Sequence, residues 1–500
     1  MSKRENEDGV VNTISRYRDP RIEEIFSPEQ RLSRFDQVEI AAVLAEFGKD
    51  DERVKRLIEA LKNSPPNEER RKEIERVTDH DLMAYVMQRW EILPPELRAI
   101  LHKAKTSFDI QDPADQLALI AALDAVIDDL RSLMEITRNQ GLKYWYSPLL
   151  LRTHGQGAHV GTFGKRLSSY FADLEFAQNY LLYARKMISF GKMSGLVGDY
   201  QNASYQIEYQ ALKMLGLKPY YGASQILPRS MHAILASSLT VLCGVLAKIA
   251  EDFQLMARNP RPLIQEPFKI GQTGSSASPA KKNSIKSENT EGMFRLALGD
   301  LVALLQNLIT KEERDIAQSS VERVALIDLF HISLNALKNV SYVMENMAVY
   351  PVHMLDEILE MRGTEAAEAA KEFLVENGIP RETAYAIVKQ ASHNAFNFAK
   401  IDCLDIPTSP QEAELFYRDY AQKLHEKPDN IRDIIAQGRL FYLPTVNVGR
   451  EAIKDWNTLL RGIFADQNVY AKWEKVFDIE HIFASQEVLL EKMREGAIKV

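Results

Sequence analysis

The sequence predicts an all-α protein. Three observations carry this: long stretches with apolar residues every third or fourth position, one stretch that is apolar on nearly all sides, and a scarcity of alternating strand patterns. In Gln116–Ile136 the residues Leu119, Leu123, Val126, Leu130 and Leu133 step by three or four. Leu242, Val245, Ile249, Phe253 and Met256 repeat that step in Ser237–Met256, and Phe294, Leu298, Leu301, Leu305 and Leu308 in Met293–Ile309. Such spacing lays one apolar face along each helix. "ILASSLTVLCGVLAKIA" is apolar almost all round, which places its helix at the centre of a bundle. The best strand candidate is "GRLFYLPTVNVG" around Tyr442, and Pro444 weakens it.

Breaks divide the chain into three expected segments. Asp112-Pro113 precedes a long helical run and ends an N-terminal helical domain, residues 1–112. The central domain, 113–363, has the longest helices and contains a polar loop at 271–292. Arg362-Gly363-Thr364 opens the C-terminal helical domain, 364–500, where "ENGIPRETA" reads as a helix end, a proline and a new helix start.

With 45% apolar residues the chain has ample material for a large core. Its 62 Lys and Arg against 70 Asp and Glu leave a net charge of −8, which argues against a nucleic-acid partner without excluding a local basic pocket. Two cysteines, Cys243 and Cys403, exclude a disulfide scaffold and fit a reducing compartment. No signal peptide is visible at the N-terminus and no uninterrupted run of about 18 apolar residues occurs, so a cytoplasmic protein without membrane contact is expected.

The stretch "GQTGSSASPAKKNSIKSENTEG", Gly271–Gly292, is polar enough to be a linker, yet long loops inside compact domains are uncommon unless functional. Ser275 and Ser276 offer two hydroxyls for proton transfer, and Lys281 and Asn283 can hold a carboxylate. A serine becomes a base only where nearby cations or amides stabilise its alkoxide. In "LLLRTHGQGAHVGTFGKRL", His154 sits among Arg152, Thr153 and Gln156 rather than on an apolar stripe, which suits a general acid near neutral pH. The alternative is a structural histidine. The intervals between His80, His102 and His154 do not match a metal site, so no metal and no other cofactor is expected. In "ERDIAQSSVERVAL", Arg314, Ser319, Ser320 and Arg323 can cradle a phosphate, or simply form a solvated helix face. "ISRYRDPRIEEIF" poses the same choice for Arg16 and Tyr17.

Taken together, these segments resemble a known family. "GSSASPAKKNS" is similar to the GSSxMPxKxNP signature of the fumarase/aspartase/argininosuccinate lyase superfamily. "RYRDPRIEEIFSPEQRLSRF", "TDHDL", "HKAKTSFDIQD", "RTHGQGAHVGTFGKRL", "GLVGDYQN", "SQILPRSMHA" and "ERDIAQSSVERVAL" resemble adenylosuccinate lyase segments over about Arg16–Ala325, with weaker similarity to Phe396. The chain past Ala399 is longer than that family needs, although "FDIEHIF" is similar to a common family ending.

The resemblance implies a three-domain all-α fold with a long central helical bundle, a homotetramer with a 20-helix core, and sites shared between three subunits. It also implies elimination of fumarate from a small nucleotide substrate. Ser275 then matches the general base, His154 the general acid and His80 a second catalytic histidine. Arg16, Tyr17, Arg314, Ser319, Ser320 and Arg323 match the nucleotide end. Asp81, Thr106, Ser107, Gln225, Ser276, Lys281, Asn283 and Asn289 match positions that surround the rest of the substrate. Departures from the pattern are Ser278 for Met, Ser284 for Pro, Gly157 for Pro, Phe108 for Ser, and Lys311-Glu312 for Trp-His. None removes a proton-transfer group, but several adjoin substrate-holding positions. The readings left beside this one are a related lyase for another succinyl-amine and a non-catalytic helical scaffold.

Overall fold

The computed structural model describes residues 15–278, 280–396, 409–423, 429–442 and 448–496. Helix dominates them, and the chain divides into two compact units. The first comprises residues up to Thr137, Tyr170–Ala257 and Gln265–Met347; the second comprises Arg138–Ser169, Arg258–Ile264 and Ala348 onward.

The chain opens with α1 (Pro20–Ile25), α2 (Pro28–Phe47), α3 (Glu52–Asn63), α4 (Glu68–Thr78), α5 (Asp81–Glu91), the short α6 (Pro95–Arg98) and the 37-residue α7 (Ser107–Lys143). Local chemistry sets several starts. The side chains of Asp19, Ser27, Asp51 and Asn67 each accept a backbone N–H in the first turn of α1 to α4. Asp112-Pro113 does not precede the long helix as the sequence suggested: α7 begins at Ser107 and runs through Pro113. A proline there forfeits one backbone hydrogen bond, but Leu119, Leu123, Val126, Leu130 and Leu133, all buried as their spacing predicts, hold the helix on.

After the hairpin of β1 (Pro148–Thr153) and β2 (Gln156–Thr162) come α8 (Phe163–Met187), α9 (Tyr205–Met214), α10 (Ser230–Met256), α11 (Ile285–Gln306) and α12 (Ala317–Asn346). The last three pack together as the bundle of the first unit. α10 is long and apolar enough to cross a membrane, yet 67% of its most apolar stretch is buried inside the protein. The apolar stripe expected to face inward on α11 is largely on the wrong side. Met293, Ala297 and Leu304 are buried, while Leu298, Leu305 and Leu308 are exposed, as are Leu296, Val302 and Ile309. Periodicity finds an apolar face but does not say what covers it.

In the second unit, α13 (Pro351–Glu360) ends in a turn where Arg362 and Gly363 have φ of 55° and 84°. α14 (Ala367–Glu376) stops before Gly378, and α15 (Arg381–Phe396) starts after Pro380, as the sequence predicts. The segment past Ala399 is structural in part. Trp473 packs 5.3 Å from Phe373 and 5.1 Å from Phe464 by ring centroid, and donates its indole N–H to the Arg432 carbonyl. The expected strand is absent over Gly438–Tyr442, and residues 443–447 of that segment lie outside the described residues.

Candidate active site

The polar stretch from Gly271 is loop only as far as Ser284; from Ile285 it forms the first turns of α11. Glu266 explains this. Its carboxylate accepts the N–H of Lys286 at 3.1 Å and of Ser287 at 2.9 Å, and the Ser287 hydroxyl at 2.6 Å, capping the helix from outside it. Within the loop, the Ser275 Oγ accepts the Ala277 N–H at 3.3 Å and the Ser278 N–H at 3.2 Å. Two amides on one hydroxyl oxygen favour developing negative charge there, which is what a serine base needs. Asn283 ties the loop by donating to the Gly274 carbonyl at 2.9 Å. Gly274 itself is required by close approach, since a Cβ would lie 2.1 Å from the Lys281 carbonyl oxygen. Ser276 and Lys281 are exposed, and Pro279 lies outside the described residues.

His80 caps α5. Its Nδ1 accepts the Met83 N–H at 3.2 Å, so in the neutral ring the proton belongs on Nε2, which is left as a donor. Asp81 binds Arg31 and lies 2.8 Å from Arg71. Burial alone would raise its pKa; Arg31, Arg71 and Arg323 outweigh this and hold its carboxyl below the usual range.

Thr106 and Ser107 form the entry to α7. The Thr106 N–H is accepted by Asp109 Oδ2 at 2.8 Å. The other oxygen of Asp109 receives the ammonium of Lys192 and, at 3.3 Å, the Gly195 N–H. The Asp109 and Lys192 side chains have no solvent exposure.

At the phosphate end of the expected site, Ser319, Arg323 and Phe108 share the wall of a cavity of about 150 Å³ with Arg31, Arg34, Gln111, Asp115, Arg229, His232 and Glu322. Arg314 stacks on the Phe108 ring at 4.2 Å and donates to Gln225 at 3.0 Å. Arg16 and Tyr17 lie in a 3-10 turn, Ser15–Tyr17. Ser320 bonds its own helix at Ala317, and Asn289 accepts the side-chain amides of Asn335 and Asn339, at 2.9 and 2.8 Å. Sequence reasoning missed Arg31, Arg34, Asp115, His232 and Glu322. Arg31 and Arg34 carried a signal, being three apart on one helix, and Glu322 lies beside Arg323 in "SSVER".

His154 belongs to the second unit. It occupies the tip of the β1–β2 hairpin, with φ of 53° at His154 and 75° at Gly155. Two positive φ values in a two-residue loop match a type I′ turn, whose twist suits paired strands. The imidazole is exposed at the tip. Three consecutive leucines, a His-Gly pair and a glycine-rich return were the sequence signal for this hairpin.

The fold and these motifs define a lyase. The sequence profile of the lyase family matches residues 30–299, just over half of the chain, and the protein belongs to that family. Its relatives include the adenylosuccinate lyase of Synechocystis, 34% identical over 77% of this chain and 89% of the relative. Those of Thermotoga maritima, at 30% over 77% and 90%, and Bacillus subtilis, at 32% over 77% and 89%, are similar. Among solved structures, a fumarate lyase from Mesorhizobium superposes with a TM-score of 0.70 at 18% identity, covering 92% of this chain and 98% of that one. A 3-carboxy-cis,cis-muconate lactonizing enzyme from Pseudomonas putida gives 0.69 at 21%, covering 94% and 98%.

Proposed function

We propose that the protein is a carbon–nitrogen lyase of purine nucleotide synthesis, eliminating fumarate from adenylosuccinate to give AMP. The same elimination would act on succinyl-aminoimidazole-carboxamide ribotide. The observation that carries this reading is Ser275 Oγ, held by two backbone amides inside a loop that matches the superfamily signature. In the forward step Ser275 takes the proton from the succinyl Cβ. Its electron pair forms the C=C bond of fumarate, the C–N bond breaks, and His154 protonates the departing nitrogen. Negative charge grows on the carboxylate next to the Cβ, where Lys281, Asn283 and the Thr106–Ser107 pair are suitable donors. His80, through its Nε2–H, supports the same substrate. Arg16, Tyr17, Arg314, Ser319 and Arg323 serve the nucleotide end.

The reading includes a homotetramer in which each site draws on several subunits, and the three-segment division at about 112 and 363. The exposed apolar face of α11, Leu298, Val302 and Leu305, supports association with further copies of the chain. Incubation with adenylosuccinate, followed by the fall in its absorbance, tests the activity. Turnover to AMP and fumarate is expected; none from folded, assembled protein would overturn it. A narrower reading, a lyase for a different succinyl-amine, is favoured by Phe108, whose ring fills space beneath Arg314 beside the Thr106–Ser107 pair. A panel of succinyl-amines separates the two: a rate on another member well above that on adenylosuccinate selects it.

A further inference from the structure

The hairpin that carries His154 is not a regular ladder. Leu151 faces His159 and Arg152 faces Gly157, so Ala158 is an extra residue on β2. Such a bulge interrupts the pairing and adds a local twist. Beyond it the pairs Arg152–Gly157 and Thr153–Gln156 lead to the turn that presents the imidazole. A two-stranded hairpin is marginal on its own, so the aim of its tip depends on what it packs against. At this point it packs against α13. The Met361 side chain, just past the end of that helix, lies over the Gly157 backbone: a Cβ at position 157 would be 2.8 Å from its Cε and 3.0 Å from its Sδ. On the other strand, Arg152 donates through Nη2 to Glu357 Oε2 at 2.8 Å. Glu357 and Met361 are four residues apart, so one face of one helix reaches both strands.

The turn after Met361 is itself anchored. The Arg362 guanidinium donates to the Ala395 carbonyl of α15 at 2.6 Å, and the Arg362 carbonyl accepts the Ile431 N–H at 3.0 Å. The Thr364 N–H and hydroxyl both return to the Met361 carbonyl, at 3.0 and 2.7 Å. Hairpin, α13 and these anchors all belong to the second unit. We propose that Met361, with Glu357 beside it, positions His154 for proton transfer, and that α15 and the Ile431–Ala436 helix hold Met361 in place. The inference rests on the reading of His154 as the general acid. What it adds is a pair of positioning residues on α13, which the family motif does not supply, and a task for the chain past Ala399. It also explains Gly157, where the family pattern has proline: with no side chain at 157, the thioether reaches the strand.

Proton transfer needs the acid within hydrogen-bond reach of the departing nitrogen. A displacement of about 1 Å can cost about 10²-fold in rate. Without the thioether, the strand beyond the bulge loses its packing partner, and the tip is free to swing. The Arg152–Glu357 pair is partly exposed, at 35% and 22%, so it is the weaker of the two supports. Neither support is among the residues assigned to the substrate, so loss of either should lower kcat and leave KM nearly unchanged.

Steady-state kinetics and hydrogen exchange on the full chain test this together. Met361→Ala should lower kcat on adenylosuccinate by about 10–100-fold with KM within about twofold of wild type. Met361→Leu, which keeps most of the volume, should stay within about threefold. Glu357→Gln, a milder change nearer the surface, should cost about threefold. In a His154→Ala background each change should cost less than about twofold, because it acts through the imidazole. Amides of residues 149–162 should exchange at least about tenfold faster in Met361→Ala, while those of α15 keep their protection. Equal losses with and without His154, a Met361→Ala protein with wild-type kcat, or hairpin amides exchanging at the wild-type rate would each overturn the proposal. Exchange requires no turnover. Inactivity of the wild type towards adenylosuccinate alongside faster hairpin exchange in Met361→Ala therefore removes only the proposed reaction, and turnover that needs His154 but not Met361 removes only the positioning role.

Discussion

Ser275→Ala lowers turnover of adenylosuccinate by about 10²–10⁴-fold while leaving the fold and assembly unchanged, since that is what a positioned base contributes and no neighbour can replace it. The alternative hydroxyl, Ser276, is exposed, and no described backbone amide donates to it. The two amides that support Ser275 belong to Ala277 and Ser278. They remain in place whatever side chain position 278 carries, so the departure from the family's methionine costs the base nothing. Ser278→Met is accordingly expected to keep turnover within about threefold of wild type, as befits a solvent-facing change. The comparison isolates the hydroxyl from the loop: both variants alter the same turn, but one removes the oxygen. Steady-state kcat, with circular dichroism and sizing as controls, reads the outcome. An alanine variant retaining a tenth of wild-type kcat would show that another group takes the proton.

Much of the bundle was legible because burial and periodicity coincide. The α7 stripe from Leu119 to Leu133 is buried as its spacing requires. On α11 both faces are apolar, and the chain buries the one through Met293, Ala297 and Leu304; an apolar stripe records what must be covered, not by which molecule. The loop was legible from its composition up to Ser284. Beyond that, Glu266, some 20 residues upstream, caps α11 through a contact that no local pattern announces. The hairpin bearing His154 was hidden by a search for alternating strands, although His and Gly both tolerate the left-handed backbone its turn requires. At the site, residues with side chains on a motif were found. Residues related only by the cavity they line, such as Arg31 on α2 and Glu322 on α12, were not, because that relation comes from the packing of distant helices and has no short-range trace. The same holds for Asp109 and Lys192, separated by 83 residues and joined by a buried ion pair.

That ion pair gives the second large effect: Lys192→Met should destabilise the first unit by about 3–5 kcal/mol, the cost of leaving a buried carboxylate without its cation. The loss should also reach the candidate site. Asp109 holds Thr106 through one oxygen and Gly195 through the other, and a carboxylate released from Lys192 must protonate or take in water, either of which disturbs both bonds. A double variant, Lys192→Met with Asp109→Leu, leaves no buried charge, so most of the stability should return. The Thr106 N–H stays without its acceptor, so kcat/KM should remain low. Stability alone would move the two quantities together. Their separation in the double variant distinguishes a positioning role for Asp109 from simple packing. Because the chain has two compact units, stability is best followed by hydrogen exchange at amides of α7 and α9 rather than by one global midpoint. A single variant losing under about 1 kcal/mol would mean that water or a backbone shift satisfies Asp109. A double variant that recovers kcat/KM along with stability would mean that Thr106 needs no such anchor.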